Sequence, residues 1–146
     1  MKRLLTTTLL ALATIGASAA TTLGDRAQIV EALKISPPCC VVDARSPGPR
    51  LLRPLKDAVA WSANMRIVPS GTVVVIADND KAALVIARRI EKRFKAKDVL
   101  AVKGGVDTWR EILAAAEEPG MPATFVIPKN TCEQGTPLQT LRSNKR

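Results

Sequence analysis

The 146-residue chain carries 22 lysines and arginines against 13 aspartates and glutamates, a formal charge of +9, and contains neither histidine nor tyrosine. Without histidine there is no side chain that titrates near neutrality of its own accord to serve as a general base, and no imidazole to ligate a metal. Two tryptophans and two phenylalanines are too few for a platform on which bases stack, which argues against nucleic acid as a partner.

Residues 1–20 read as a signal peptide. Lys2 and Arg3 form the charged start, Leu4 to Ile15 an apolar core, and Ala17-Ser18-Ala19 a cleavage pattern of small residues. The core is too short to span a bilayer comfortably. The mature chain is therefore expected to be soluble and exported, to a bacterial periplasm. What remains is long enough for one domain with its own core.

Gly24-Asp25 is positioned to cap a short helix from Arg26 to Leu33, with Ala27, Val30 and Leu33 on one face. Ser36-Pro37-Pro38 ends it and leads into an extended segment, Cys39 to Val42, because a residue before proline is pushed out of helical geometry. Asp43 and Arg45 follow and read as a structural pair bracing the neighbouring loops. Ser46 to Lys56 reads as an irregular connection containing Arg50 and Arg53, interrupted by Pro54. Ala58 to Trp61 suits a short edge strand, and Ala63 to Ile67 a helical turn before Pro69-Ser70-Gly71.

The chain is organised around Thr72 to Arg110. Thr72-Val73-Val74-Val75-Ile76 is an uninterrupted β-branched run, the pattern of a strand buried on both faces. Ala77-Asp78-Asn79-Asp80 breaks it. From Lys81 to Phe94 a helical period sets Ala83, Ile86, Ala87, Ile90 and Phe94 on one face and most of the charges on the other. Val99-Leu100-Ala101-Val102 is a second short strand, Lys103-Gly104-Gly105 a turn, and Val106 to Arg110 the start of another helix. Strand, helix, strand and helix in that order make a βαβα unit.

This layout resembles the rhodanese-like domain over roughly Gly24 to Ala115. The most specific match is Val102 to Trp109, with Gly104-Gly105-Val106-Asp107-Thr108-Trp109 at its centre. Val41-Val42-Asp43-Ala44-Arg45 resembles the family's first strand and its Asp-x-Arg end, and Leu55 to Val59 weakly resembles its next conserved segment. The resemblance implies an α/β, three-layer fold with a mostly parallel central sheet of about four or five strands flanked by helices. It places a rhodanese-like domain over residues 24–118 and a C-terminal extension over 119–146. Within that extension Phe125-Val126-Ile127 is expected to dock on the domain, and the end to fray.

The family's nucleophilic cysteine sits directly after the central strand, where this chain has Ala77. An ungapped reading puts the family's loop glycine at Asp80 and its arginine at Ala82. The loop Ala77, Asp78, Asn79, Asp80, Lys81 and Ala82 is thus a degenerate active-site loop. A helix N-terminus attracts anions, but here Asp78 and Asp80 bring carboxylates to it, so thiosulfate-like dianions are expected to be repelled. Asn79 or Asp80 is expected to cap the helix.

Cys39, Cys40 and Cys132 are the disulfide candidates. Adjacent residues of a strand face opposite sides of a sheet, so only one of Cys39 and Cys40 is expected to reach Cys132, the other being buried. A free Cys132 is the alternative. The expectation is a catalytically inactive periplasmic module that binds another periplasmic protein, requires no cofactor or metal, and makes at most weak contact with an anionic membrane surface. The competing reading is a sulfurtransferase or thiol-redox protein that uses Cys132, or less readily Cys40, as its sulfur carrier. The oligomeric state is not fixed by the sequence.

Overall fold

The computed structural model describes residues 21–56, 58–116 and 132–133. The signal peptide expected at 1–20, the segment Phe125-Val126-Ile127, and all of the expected extension apart from residues 132–133 lie outside the described residues.

The β-branched run Thr72–Ile76 forms β5, every residue of it buried. It occupies the middle of a five-stranded sheet built with β1 (Thr22–Gly24), β2 (Pro38–Asp43), β3 (Val59–Ala60) and β6 (Val99–Val102), in the order β1-β6-β5-β2-β3, with every pairing parallel. Parallel strands need covered faces, and helices cover both. On one face, Ile29 and Leu33 of α1 (Arg26–Ile35) and Trp109 and Ile112 of α4 (Gly105–Ala116) pack on Val41, Val74, Ile76 and Val102. On the other, Ala83, Ala87 and Ile90 of α3 (Asp80–Phe94) pack on Val42, Val73, Val75 and Ala101. Alternate strand residues thus serve alternate layers, and the chain has the expected α/β, three-layer architecture with a mostly parallel central sheet.

Several local expectations are corrected. Helix α1 has its capping box, Asp25 taking the Gln28 amide and Gln28 returning the bond, but it buries Ile29 and Leu33 while Ala27 is exposed. The two large side chains four residues apart cover the sheet better than the smaller Ala27 and Val30. The connection after Arg45 is not irregular throughout: Pro47–Leu52 is a short helix, α2, with proline in its first turn. Of the turn expected over 63–67, only Ala63-Asn64 forms one, closed by the Met65 amide on the Ser62 carbonyl. Arg66–Ile67 is a strand, β4, paired antiparallel with β7 (Cys132–Glu133), Ile67 opposite Cys132. That partner lies 65 residues further along, beyond the reach of local pattern. Strand β1 has no counterpart among the expected elements; it is three residues long and among the described residues pairs only with β6.

Cys39 and Cys40 do not divide between the two faces. The β2–β5 register shifts between Pro38 and Cys40, so that Pro38 lies opposite Thr72 and Cys40 opposite Val73. This irregularity interrupts the strict alternation of the strand, and both cysteines belong to the core cluster on the α3 side. Cys40 forms the disulfide with Cys132, with Cα atoms 5.5 Å apart and a sequence separation of 92. Cys39 remains a buried free thiol.

Candidate functional site

In an open parallel sheet, the crevice at the carboxyl edge opens where neighbouring strands send their connections in opposite directions. Here β2 leads to β3 on one side and β5 to β6 on the other. A cleft of about 330 Å³ lies at that point. Its floor is Ala77 and Asp78, immediately after β5. One wall is Arg45, Pro49, Leu52 and Arg53, after β2, and the other is the Gly104 to Asp107 segment, after β6.

Backbone geometry at Gly104-Gly105 keeps that second wall close to the floor. Both glycines have positive φ, 77° and 62°. A Cβ on Gly105 would stand 2.8 Å from the Ala77 carbonyl oxygen. Only glycine tolerates both the dihedral and the approach.

The Asp43–Arg45 pair lies under the first wall with its side chains 7% and 2% exposed. Arg45 Nε and Nη2 donate to the two Asp43 carboxylate oxygens at 2.9 and 2.7 Å, a forked, charge-assisted pairing. Nη2 also donates to the Arg53 carbonyl at 2.9 Å, and Nη1 reaches the Pro49 carbonyl at 3.5 Å. The hydrogen bond to Asp43 raises the Arg45 pKa above its ordinary value; burial opposes this, and the charges of Asp43 and Asp78 reinforce it. The guanidinium is a permanent cation, its side chain 2% exposed, with four of its five N–H donors directed to Asp43 and to the Pro49 and Arg53 carbonyls.

The acidic loop is also engaged. Asn79 is the N-cap of α3, its side-chain oxygen accepting the Ala82 amide at 2.9 Å, which settles the choice between Asn79 and Asp80. Asp80 accepts the Gly104 amide at 2.9 Å and Asp78 accepts the Ser46 amide at 2.8 Å. Each carboxylate therefore ties the loop after β5 to a neighbouring loop. Lys81 is exposed and Ala82 half-buried, and neither lines the cleft. Across the mouth, Arg53 Nη2 meets Asp107 Oδ1 at 3.2 Å, with both side chains more than half exposed.

The sulfur chemistry lies elsewhere. Cys40 pairs in register with Val73, four residues before Ala77. At about 3.3 Å per strand residue, the bridge stands roughly 13 Å along the strand from the cleft floor. Sequence analysis brought Ala77, Asp78, Asn79 and Asp80 correctly to one edge with Asp43 and Arg45. It did not bring Cys132 there, and the structure places Cys132 toward the opposite edge, half-buried against β4.

Among the described residues, no group of three or more cysteine, aspartate or glutamate side chains is arranged to hold a metal ion. A larger groove, about 440 Å³, runs between α1 and α4, lined by Ala27, Val30, Ile112 and Ala115 with the exposed Arg26, Glu31 and Lys34 at its rim. Glu31 and Lys34 pair with each other. Among the described residues no buried polar group lines this groove, so the cleft at the sheet edge is the better candidate.

Sequence analysis missed α2 and its role as a wall. The signal was present: Ser46-Pro47 is a helix start with proline at its first position, and Pro54 follows its end. No protein-family model matches the chain, and no curated protein or solved structure matches it.

Proposed function

We propose that the chain is a catalytically inactive, exported rhodanese-like domain that works as a binding module for another periplasmic protein, with the cleft over Ala77 as part of its recognition surface. One observation carries this reading. The loop that should present a nucleophile to the cleft presents a methyl group, and the polar groups around it already bond one another. Sulfur transfer needs a thiolate in reach of a donor held by unpaired amides or cations. Here Asp80 takes the amide of Gly104, which lines the cleft, Asp78 and Asn79 take those of Ser46 and Ala82 in the adjoining loops, and Arg45 is bound to Asp43 and to two carbonyls.

The alternative, with Cys132 or Cys40 as sulfur carrier, requires a free thiol at the loop. In the structure these sulfurs are bonded to each other and stand away from it. The basic charge is compatible with weak attraction to an anionic membrane surface, but the carboxylates Asp78 and Asp107 at the cleft favour a protein partner.

The test is sulfur transfer from thiosulfate to cyanide by the mature protein, assayed both oxidised and after reduction of the Cys40–Cys132 bridge. Background rates are expected for the wild type and for Cys132→Ser alike. Turnover in the wild type that disappears in Cys132→Ser overturns the proposal in favour of the sulfurtransferase.

A further inference from the structure

Helix α2 has an unusual relation to the rest of the chain. None of its residues is buried, and Leu51 and Leu52 are 83% and 84% exposed. Single exposed leucines are ordinary. Two adjacent ones on a segment stiffened by Pro47, Pro49 and Pro54 are less so, because proline removes the freedom that would let them fold back onto apolar surface. Nor is α2 fixed by packing. The buried Arg45 holds it through the Pro49 and Arg53 carbonyls, so a polar post inside the domain displays an apolar pair outside it. Leu52 and Pro49 also line the cleft, making the exposed leucines continuous with its interior.

The charge around this surface narrows the occupant. Residues 46–56 contain Arg50, Arg53 and Lys56 and no carboxylate, while the cleft floor carries Asp78 and the far wall Asp107, which reaches Arg53 across the mouth at 3.2 Å in an exposed pair. An anionic bilayer would be drawn to the first set and repelled by the second, and a flat headgroup plane leaves a 330 Å³ concavity unfilled. A peptide segment with an apolar side chain beside a carboxylate matches both features. Resting on the binding-module reading above, we infer that α2 and the adjoining cleft take a short segment of another protein, its apolar side chain entering against Leu52 and its carboxylate meeting Arg50 or Arg53.

The test is selection of random phage-displayed peptides on the oxidised mature protein, followed by titration of the enriched sequences as synthetic peptides. Enriched peptides are expected to share an apolar residue next to Asp or Glu and to perturb the backbone amide resonances of residues 48, 50–53 and 104–107. The double variant Leu51→Ser/Leu52→Ser, which alters only exposed side chains, is expected to keep the wild-type circular dichroism and lose at least tenfold in affinity. Arg53→Gln is expected to lose several-fold, with a weaker salt dependence. The inference is overturned if no sequence is enriched, if the peptides map to the α1–α4 groove, or if the leucine variant binds them as well as the wild type. It is equally overturned if phosphatidylglycerol vesicles or self-association, and not peptide, depend on the two leucines. Peptides that bind away from α2 remove this inference and leave the module reading standing; sulfur transfer in the preceding assay removes that reading whatever the peptides do.

Discussion

The two edges of the central sheet are held by different means. Toward the amino edge, β2 and β5 begin among apolar residues: Cys39 and Cys40 lie in the core with Met65 and Ile67, and a disulfide fastens the distant Cys132 to them. At the carboxyl edge the loops are fastened by carboxylates. Asp43 holds Arg45, Asp78 holds the Ser46 amide and Asp80 holds the Gly104 amide. Packing and a covalent bond close the first edge. Hydrogen bonds shape the second while leaving a cleft open. The difference shows that one sheet can close one edge by packing and a covalent bond and hold a cleft open at the other with hydrogen bonds between loops.

This contrast can be broken at several points. The largest effect is expected at the amino edge. Cys132→Ser removes a cross-link between residues 92 apart, worth about 4.5 kcal/mol if loop-closure entropy dominates. Chemical denaturation of the variant, and of the wild type with reductant, should show the same loss. Equal stability with and without the bridge would mean that the apolar packing around Met65 holds this edge unaided.

At the carboxyl edge, Arg45→Met leaves the Asp43 carboxylate buried without its partner and should cost about 4 kcal/mol. Adding Asp43→Asn should recover most of that, because the penalty comes from the unpaired charge. The sign of the pH dependence follows from the raised Arg45 pKa. A raised folded-state value gives stability that is fully present below the unfolded value and is lost only as pH rises through the folded one. The Arg45 contribution is therefore constant at neutral pH and fails only in strong alkali. An Arg45-dependent change in stability between mildly acidic and neutral pH would contradict this.

Gly105→Ala should cost about 3 kcal/mol, combining a left-handed backbone with a clash at the Ala77 carbonyl. Its loss measured by thermal unfolding sharpens the comparison, since this wall depends on close backbone approach where the other depends on Arg45. The smallest effect belongs to the pair across the mouth. A double-mutant cycle on Arg53 and Asp107 should give a coupling below about 0.5 kcal/mol, as both side chains are largely solvated.

How far the sequence foretold this depends on where the determining contacts lie. The stretch from Thr72 to Trp109 reads almost directly: the β-branched strand, the amphipathic helix and the glycine turn are each set by neighbours in the chain. The cleft floor was legible for the same reason, because Ala77 to Asp80 follow a strand whose end is unmistakable. Asp43 and Arg45 were legible as a pair, two residues apart at a strand end, but the carbonyls that Arg45 holds were not, because they depend on how α2 folds. The bulge after Pro38 defeated the alternation argument for Cys39 and Cys40, since nothing in two adjacent cysteines announces a register shift. Strand β4 was invisible for a stronger reason: a two-residue segment becomes a strand only through Cys132 and Glu133 far along the chain. The exposed leucines of α2 are hidden in the sequence because Pro54 reads as a breaker while Pro47 starts the helix.

The central proposal is that the cleft over Ala77 does not cradle a sulfur donor, even when a thiol is placed there. Mass spectrometry of Ala77→Cys after exposure to thiosulfate tests it most directly. The engaged amides and the carboxylates of Asp78 and Asp80 should keep the dianion away, and the new thiol should retain its mass. Stoichiometric gain of one sulfur atom at residue 77, passed on to cyanide, would show that the loop holds the donor once a thiol is supplied and would contradict the proposal.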